Sequence, residues 1–133
     1  MDTVQLIIVT PRRLALQTAA RWVELPAAAG QMQVLPGHAP LLGALGSGLV
    51  RYQDAAGADQ RLLVNGGFLE VAEGKLTLLA DTAEFPAEIP RAQAVAEWER
   101  LQRTPPPVAD ADGADQELRQ RNLAQVRAEI AAG

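Results

Sequence analysis

The single histidine of the 133-residue chain, His38, lies in the segment VLPGHAPLLGALGSGLVRY, which spans Val34–Tyr52. An imidazole acts as a general base when a carboxylate orients it or a nucleophile lies within hydrogen-bond reach. The segment has no Asp or Glu, and its hydroxyl candidate, Ser47, stands between two glycines. A distant partner such as Asp81 stays open. We therefore favour a histidine that bonds to backbone or contacts another chain, and we keep catalysis by His38 as an alternative.

Two glycine-rich stretches invite other functional interpretations. The run GALGSG (Gly43–Gly48) resembles a phosphate-binding loop, but it lacks the following Lys-Ser/Thr pair. It is predicted to be a flexible turn that enters a strand at Gly48–Gln53. The run NGGF (Asn65–Phe68) lies inside a strand pattern, where paired glycines indicate a bulge or a close approach of two backbones. Neither run predicts a cofactor site.

Composition excludes several function classes. The chain has no cysteine, which removes disulfides, thiol nucleophiles and Cys-based zinc sites, and its carboxylates show no metal-ligand spacing. A net charge of −4 argues against a nucleic-acid partner. No apolar run approaches the roughly 20 residues of a membrane span, and the N-terminus does not read as a secretory signal. We expect a cytosolic protein with no catalytic site, cofactor, metal site or direct membrane insertion.

The first two thirds of the chain predict an all-β sandwich or flattened barrel over residues 1–85. Leu76 and Leu78 alternate with Thr77 and Leu79, so the two pairs should face opposite sides of one strand. Leu14 and Leu16 are expected to share one face. The predicted strands cover Val4–Val9, Leu14–Leu25, Gly48–Gln53, Gln60–Val71 and Glu73–Ala80.

The last third, residues 86–133, predicts an antiparallel hairpin of two helices: about 90–103 and about 115–131, joined by a Pro-rich linker over 104–114. Expected i, i+4 ion pairs are Glu99–Arg103 and Glu117–Arg121. The predicted apolar faces carry Ala94, Trp98 and Leu101 on the first helix and Leu118, Leu123, Val126 and Ile130 on the second. The arginines of the two helices are predicted to lie on a solvated face, and a surface for an acidic partner is the alternative. They are Arg91, Arg100, Arg103, Arg119, Arg121 and Arg127.

These apolar stripes are thin and alanine-rich, so the hairpin has little to pack against. An apolar loop on a β-scaffold and a weakly held hairpin are typical of a protein that docks onto others. The alternative from another class is a free-standing small-ligand-binding β-module with a helical lid. That alternative predicts a concave apolar pocket near Trp22 or Trp98.

The sequence resembles a known family in two stretches. LPGHAPLLGALGSGLVRY, followed by VNGGFLEVAEGKLTLLADTAE, is similar to the signature of the ε subunit of bacterial F-type ATP synthases, which is called δ in mitochondria. The similarity covers Val4 to about Ile89 in residue detail and the remainder by architecture. Leu35–Leu42 together with Gly66–Val71 are the specific part.

The resemblance implies a non-catalytic central-stalk subunit of the proton-translocating enzyme, which links the γ subunit to the polar loops of the c-ring and rotates with them. It would lie peripherally on the cytoplasmic face of the bacterial plasma membrane. Its C-terminal helices would inhibit ATP hydrolysis when they extend along γ toward the α and β subunits. A loop stiffened by Pro36 and Pro40 would lose little entropy on docking. Leu41 and Leu42 would be half-buried, either under the loop or against a partner. The implied contacts to the c-ring or γ are Gln31, Pro36, Gly37, His38, Ala39, Pro40, Leu41 and Leu42.

The chain departs from the family pattern at several positions. Gln31 stands where relatives often have Glu, so a contact there would lose its charge, and Gly46 replaces a basic residue. In the stretch where some relatives bind ATP between the helices, Pro90 and Gln93 replace an Asp and an Arg, and only Arg100 remains. The resemblance therefore implies weak or absent ATP binding. The long, stiff linker is also expected to alter the extended, inhibitory state.

Overall fold

The computed structural model describes residues 2–103 and 111–132, with side chains except those of 111–119 and 132. It divides into two compact units, residues 1–84 and 85–133. The first unit contains six strands: β1 (Val4–Val9), β2 (Leu14–Ala27), β3 (Gly30–Val34), β4 (Leu41–Asp54), β5 (Asp59–Ala72) and β6 (Lys75–Glu84). The second contains a short 3₁₀ helix (Pro86–Glu88), α1 (Arg91–Arg103) and α2 (Ala111–Ala132).

The strands form a sheet that closes on itself. Their order is β1-β6-β5-β4-β2-β3, and β1 also pairs with β2. β1 and β6 run parallel, and the other pairs are antiparallel. The pairing of β1 with β2 therefore closes five strands into a flattened barrel, with β3 added beside β2. This confirms the predicted fold class of a β-barrel followed by two helices.

Alternation along the strands builds the core of the barrel. In β1 the side chains of Val4, Leu6 and Ile8 are buried, while Gln5 and Ile7 between them are partly exposed. In β6, Leu76 and Leu78 are fully buried and Leu79 is exposed, as the sequence predicts. Since successive residues point to opposite faces of a strand, one face of each strand fills the barrel. The other face forms its outer surface.

The predicted common face of Leu14 and Leu16 is wrong. Val9 of β1 pairs with Leu14, whereas its neighbour Ile8 pairs with Leu16, so β2 carries one extra residue at this point. A β-bulge of this kind shifts the register and reverses the facing of the residues beyond it. Leu16 consequently stands opposite the buried Ile8, and Leu14 stands opposite Val9 on the outer surface.

The predicted flexible turn at Gly43–Gly48 is also wrong. These residues lie within β4, a strand of 14 residues that begins at Leu41. Leu41–Leu45 pairs with Gly67–Val71 of β5, and these backbone hydrogen bonds outweigh the weak strand preference of glycine. Strand β3 was not predicted, because its five residues, GQMQV, give too short a pattern.

The NGGF prediction of a close backbone approach is confirmed at Gly67. Its φ is +117°, and a Cβ atom there would lie 1.9 Å from the carbonyl oxygen of Leu79 on β6. No side chain fits at that distance, so glycine is required for β5 and β6 to pair at this point. The neighbouring residue, Phe68, is thereby fixed on the outer surface of the barrel, where it is 62% exposed.

The two helices of the second unit pack against each other. Outside 104–119, whose side chains are not described, the buried ones are mostly small: Ala94 and Leu101 on α1, and Ala124, Ala128 and Ile130 on α2. Of the predicted apolar face of α2, Ile130 is buried, Leu123 and Val126 are partly buried, and the side chain of Leu118 is not described. Instead of the expected Glu99–Arg103 pair, α1 contains an ion pair three residues apart, Glu97–Arg100.

α2 begins at Ala111, earlier than the predicted start near residue 115. The last proline before it is Pro107, so every residue from Ala111 onward keeps the backbone N–H that a helix needs. Gly113 is tolerated in the helix at a cost of about 1 kcal/mol. Residues 104–110 of the predicted linker are outside the described residues. The side chains of Glu117, Leu118 and Arg119 are not described either, so the Glu117–Arg121 pair stays a prediction.

The turn between β4 and β5 is organised by Asp54. Its carboxylate oxygen Oδ1 accepts hydrogen bonds from the backbone N–H groups of Ala56 (3.0 Å) and Ala58 (2.9 Å). The backbone hydrogen bond from Ala58 is the main cause that lowers the pKa of Asp54. An acidic residue at this position thus fixes the turn, and with it the register of β4 against β5.

We predict that Gly67→Ala destabilises the barrel far more than Gly74→Ala. Gly74 also has a positive φ, +77°, but a Cβ there meets nothing within 4 Å. The control variant should lose about 1 kcal/mol of unfolding free energy from backbone strain alone. Gly67→Ala should lose roughly 3 kcal/mol or more, because the β5–β6 backbones must separate. Equal urea midpoints for the two variants would contradict this.

We also predict that Asp54 makes the stability of the barrel pH-dependent. Because the folded-state pKa is lowered, its stabilising contribution is fully present above the unfolded-state pKa and disappears as pH falls through the folded-state pKa. Urea midpoints between neutral pH and about pH 3 should therefore fall less in Asp54→Asn than in the wild type. The control is Asp59→Asn. The carboxylate of Asp59 accepts a hydrogen bond from the side chain of Gln53 rather than from the backbone of the turn. Identical slopes for Asp54→Asn and the wild type would refute the role of Asp54.

Candidate docking surface

The turn that precedes β4 has a defined geometry. The backbone N–H of His38 donates to the carbonyl of Leu35 at 3.1 Å. Pro36 occupies the second position of this four-residue turn, and Gly37, with a φ of +84°, occupies the third. Proline followed by a residue of positive φ is the pattern of a type II β-turn. The turn is therefore ordered by its own residues, as the paired Pro and Gly suggest.

The imidazole of His38 is bound to its own loop. Its Nδ1 atom lies 2.7 Å from the carbonyl oxygen of Ala39. Since a carbonyl oxygen only accepts, Nδ1 is the donor, and Nε2 faces the exposed side. Ser47 is engaged elsewhere, because its hydroxyl donates to Asn65 Oδ1 at 2.5 Å, and Asp81 lies beside Gly66. Among the described side chains, none of the candidate catalytic partners contacts His38.

The contact residues expected from the sequence lie at one end of the barrel's surface. Gly37, His38, Ala39 and Pro40 are exposed, and Pro36 is partly buried. Leu42 is 73% exposed and Leu41 is 39% exposed, so the loop itself does not cover Leu42, and its burial against a partner stays a prediction. The two leucines begin β4, where alternation turns Leu42 to the outer surface.

Gln31 and Leu41 are brought together by the fold. Both line a shallow groove of about 430 Å³. The turn between β2 and β3 supplies one wall, and the beginning of β4 the other. Most lining residues are small or apolar: Ala27, Ala28, Ala29, Gly30, Gln31, Met32, Leu41, Gly43, Ala44 and Leu69. The groove exists because alanines and glycines leave space there.

An exposed apolar row crosses the barrel beside this turn. Cross-strand pairing aligns one residue from each of five neighbouring strands. These residues are Ala44 on β4, Phe68 on β5, Leu79 on β6, Val9 on β1 and Leu14 on β2. We call these five residues, together with Leu42, the apolar row. Leu42 belongs to the same face because it lies two residues before Ala44 on β4. Phe68, Leu79 and Leu14 are 62%, 51% and 57% exposed.

The apolar row was missed by the sequence analysis apart from Leu42. The outward direction of Leu79 was predicted, but the alignment of five strands cannot be read from the chain, and the bulge that exposes Leu14 was not foreseen. Single exposed apolar residues are ordinary on a protein surface, whereas a contiguous group of them indicates a docking site.

The alternative of a ligand-binding module predicts a pocket near Trp22 or Trp98. Two grooves among the described residues lie elsewhere: the one beside Gln31, and one of about 460 Å³ along α1 between Arg91 and Glu99. Neither of these two is lined by Trp22 or Trp98. In the parts of the chain whose side chains are described, no three His, Cys, Asp or Glu residues cluster so as to hold a metal ion.

Arg100, the retained position of the family's ATP site, is held by its own helix. Its Nη2 and Nε atoms donate to the carboxylate of Glu97 at 2.7 and 3.1 Å. The hydrogen bond from Arg100 is the main cause that lowers the pKa of Glu97. Pro90 and Gln93 are exposed. Weak or absent ATP binding stays a prediction.

Comparison with known proteins gives consistent matches. A family profile described as "ATP synthase, Delta/Epsilon chain, beta-sandwich domain" matches residues 3–86. The ATP synthase epsilon chain of Moorella thermoacetica is 40% identical over 131 residues, which cover 96% of this chain and 97% of the relative. The ATP synthase epsilon chain of Solibacter usitatus is 46% identical over 102 residues, which cover 77% and 75%.

Solved structures with the same fold come from mitochondrial enzymes. One is a chain in the Euglena gracilis mitochondrial ATP synthase, OSCP/F1/c-ring, in rotational state 1. It aligns with a TM-score of 0.79 and 18% identity, over 100% of this chain and 83% of that chain. Another, from the Tetrahymena thermophila mitochondrial ATP synthase central stalk/c-ring, gives 0.67 and 10%, over 96% and 95%. At these identities the likeness concerns the fold. No helix in the described residues combines the length and hydrophobicity of a membrane span.

Proposed function

The chain belongs to the ATP synthase delta/epsilon chain family, and on that premise we propose that it is a non-catalytic rotor subunit of a bacterial, proton-translocating F-type ATP synthase. In this role it links the γ subunit to the c-ring in the central stalk. The observation that carries the proposal is the apolar row, which faces outward and therefore does not contribute to the core of the barrel.

The apolar row is the proposed contact for γ. Full burial of a large apolar side chain is worth about 1.5–3 kcal/mol relative to exposure, and Phe68, Leu79 and Leu42 are all more than half exposed. Covering them supplies much of the free energy of a stable subunit contact. Glu70 of β5 pairs with Leu42 of β4 on one side and with Thr77 of β6 on the other. These two polar residues give the face a polar edge.

The turn from Pro36 to Pro40 and the neighbouring Gln31 are the proposed contacts for the polar loops of the c-ring. Their exposed groups are a histidine ring nitrogen, an amide and backbone, all of which suit a polar partner. The type II turn is already formed, so docking requires little additional ordering. Gln31 donates and accepts as an amide, and it contributes a contact without the negative charge that relatives often carry at this position.

The chain performs no reaction itself in this proposal. The support is that His38, the best candidate base, bonds to backbone and to no described carboxylate. We place the subunit on the cytoplasmic face of the bacterial plasma membrane, bound through its partners and without insertion into the bilayer.

The helices are the proposed brake on ATP hydrolysis. Extended along γ, α1 and α2 would reach the α and β subunits and oppose rotation in the hydrolysis direction. Support comes from the small side chains that α1 and α2 bury against each other, because a two-state element cannot be held strongly in one state.

We predict that Phe68→Asp prevents co-purification with γ. The side chain points outward, so the barrel should keep its urea midpoint, while a carboxylate in the contact would be buried without a partner. The affinity for γ should fall by roughly a hundredfold or more. The matched control is Arg61→Asp, an exposed position on the same strand away from the apolar row. Wild-type recovery of γ with Phe68→Asp would refute this surface.

We predict that deletion of residues 90–133 raises the ATP hydrolysis rate of the reconstituted complex. The deletion leaves the barrel, which is a compact unit with its own core. Assembly should be unchanged, since the apolar row and the turn are both retained. The full-length chain, reconstituted in parallel at the same ratio, is the control. Equal hydrolysis rates, with normal assembly, would show that the helices are no brake.

A further inference from the structure

The sequence removes backbone N–H donors that the carbonyl groups in the last turn of α1 would otherwise use. In an α-helix, the carbonyl of residue i accepts from the N–H of residue i+4. For Leu101, Gln102 and Arg103 the residues four positions on are Pro105, Pro106 and Pro107. Proline has no backbone N–H. These three carbonyls therefore cannot accept the i+4 hydrogen bond of an α-helix, and a donor from another part of the chain can take its place.

Arg121 of α2 supplies a donor to the first of them. Its Nη1 atom donates to the carbonyl oxygen of Leu101 in a partly buried contact. A guanidinium at this place is doubly favourable, because a charged donor makes a stronger hydrogen bond and a cation is stabilised by the negative end of the helix dipole. A side chain of one helix thus caps the end of the other.

A second positive charge of α2 acts on α1. Glu97 of α1 binds Arg100 on its own helix, and this hydrogen bond is the main cause that lowers the pKa of Glu97; the positive charge of Arg127 on α2 lowers it further. Glu97 lies four residues before Leu101, while Arg127 lies six residues after Arg121. This order is the one that an antiparallel hairpin requires.

The buried side chains that the structure describes on the two helices are mostly small. Outside 104–119, whose side chains are not described, they are Ala94, Leu101, Ala124, Ala128 and Ile130. Alanine removes little apolar surface from water. Arg121 donates to the backbone of Leu101, whose side chain is buried, so a polar contact and a buried apolar side chain lie at the same place.

We propose that Arg121 is a latch that holds the two helices together by capping α1, and that this contact must break before the helices separate. Opening the hairpin then uncovers the Leu101 carbonyl and frays the end of α1, so the two events are coupled. The latch is a property of the isolated chain and uses no nucleotide, which suits a hairpin whose Arg100 is bound by Glu97. It does not rest on the proposed function, and its test needs no other subunit.

Native-state hydrogen exchange of the full-length protein, followed by NMR, tests the latch. Backbone amides of α1 exchange when the hairpin opens. In Arg121→Ala they should exchange roughly tenfold faster, the loss expected for one hydrogen bond to a charged group. Amides of Leu62–Val64 in the barrel should be unchanged. Arg91→Ala, which removes an exposed arginine from the other end of α1, is the control and should leave all rates unchanged.

Unchanged α1 exchange in Arg121→Ala overturns the proposal, as does equal acceleration in the barrel, which would indicate a general loss of stability. A second variant, Pro105→Ala, addresses the carbonyl itself, because residue 105 then has an N–H that can reach Leu101. In that background Arg121→Ala should accelerate α1 exchange clearly less than tenfold. An effect of the same size in both backgrounds would show that Arg121 does not act through this carbonyl, and would also overturn the latch.

Discussion

Closure of the barrel is the constraint on which the remaining structure depends. Because β1 pairs with both β2 and β6, every strand from β1 to β6 except β3 has neighbours on both sides, and each side chain must point either into the barrel or out of it. The interior accepts one set of alternating residues. Any large apolar residue in the other set remains exposed until a partner covers it, and this is why Phe68 and Leu79 belong to the proposed docking surface while Leu76 and Leu78 belong to the core.

Small backbone features decide which residues fall in which set. The bulge opposite Val9 places Leu14 outside, and the close approach at Gly67 fixes Phe68 in register with Leu79. Each feature acts on one or two residues, yet the apolar row exists because they act together across five strands. The γ contact proposed here and the stability of the sheet are therefore linked through Gly67, which aligns the residues of the proposed contact without belonging to it.

The helical unit follows a different physical logic. Most of the buried side chains described on its helices are small, so specific polar contacts are more important there than in the barrel. Three prolines after α1 remove the i+4 donors of three carbonyls, and Arg121 donates to one of these carbonyls. A contact of this kind is directional and is lost entirely when the helices part. That property distinguishes it from an apolar seam, which weakens gradually, and it suits an element that changes between two arrangements.

The sequence by itself determined the β-barrel followed by two helices, the alternation of β6, the close approach at NGGF and the ordered turn around His38, because each rests on local pattern or on the chemistry of Pro and Gly. The family could be recognised from the two motifs. The tertiary structure alone decided the long β4, the bulge at Leu14, the apolar row and the capping of Leu101 by Arg121. These depend on which strands and helices become neighbours, and residues far apart in the chain carry no local signal of such pairing.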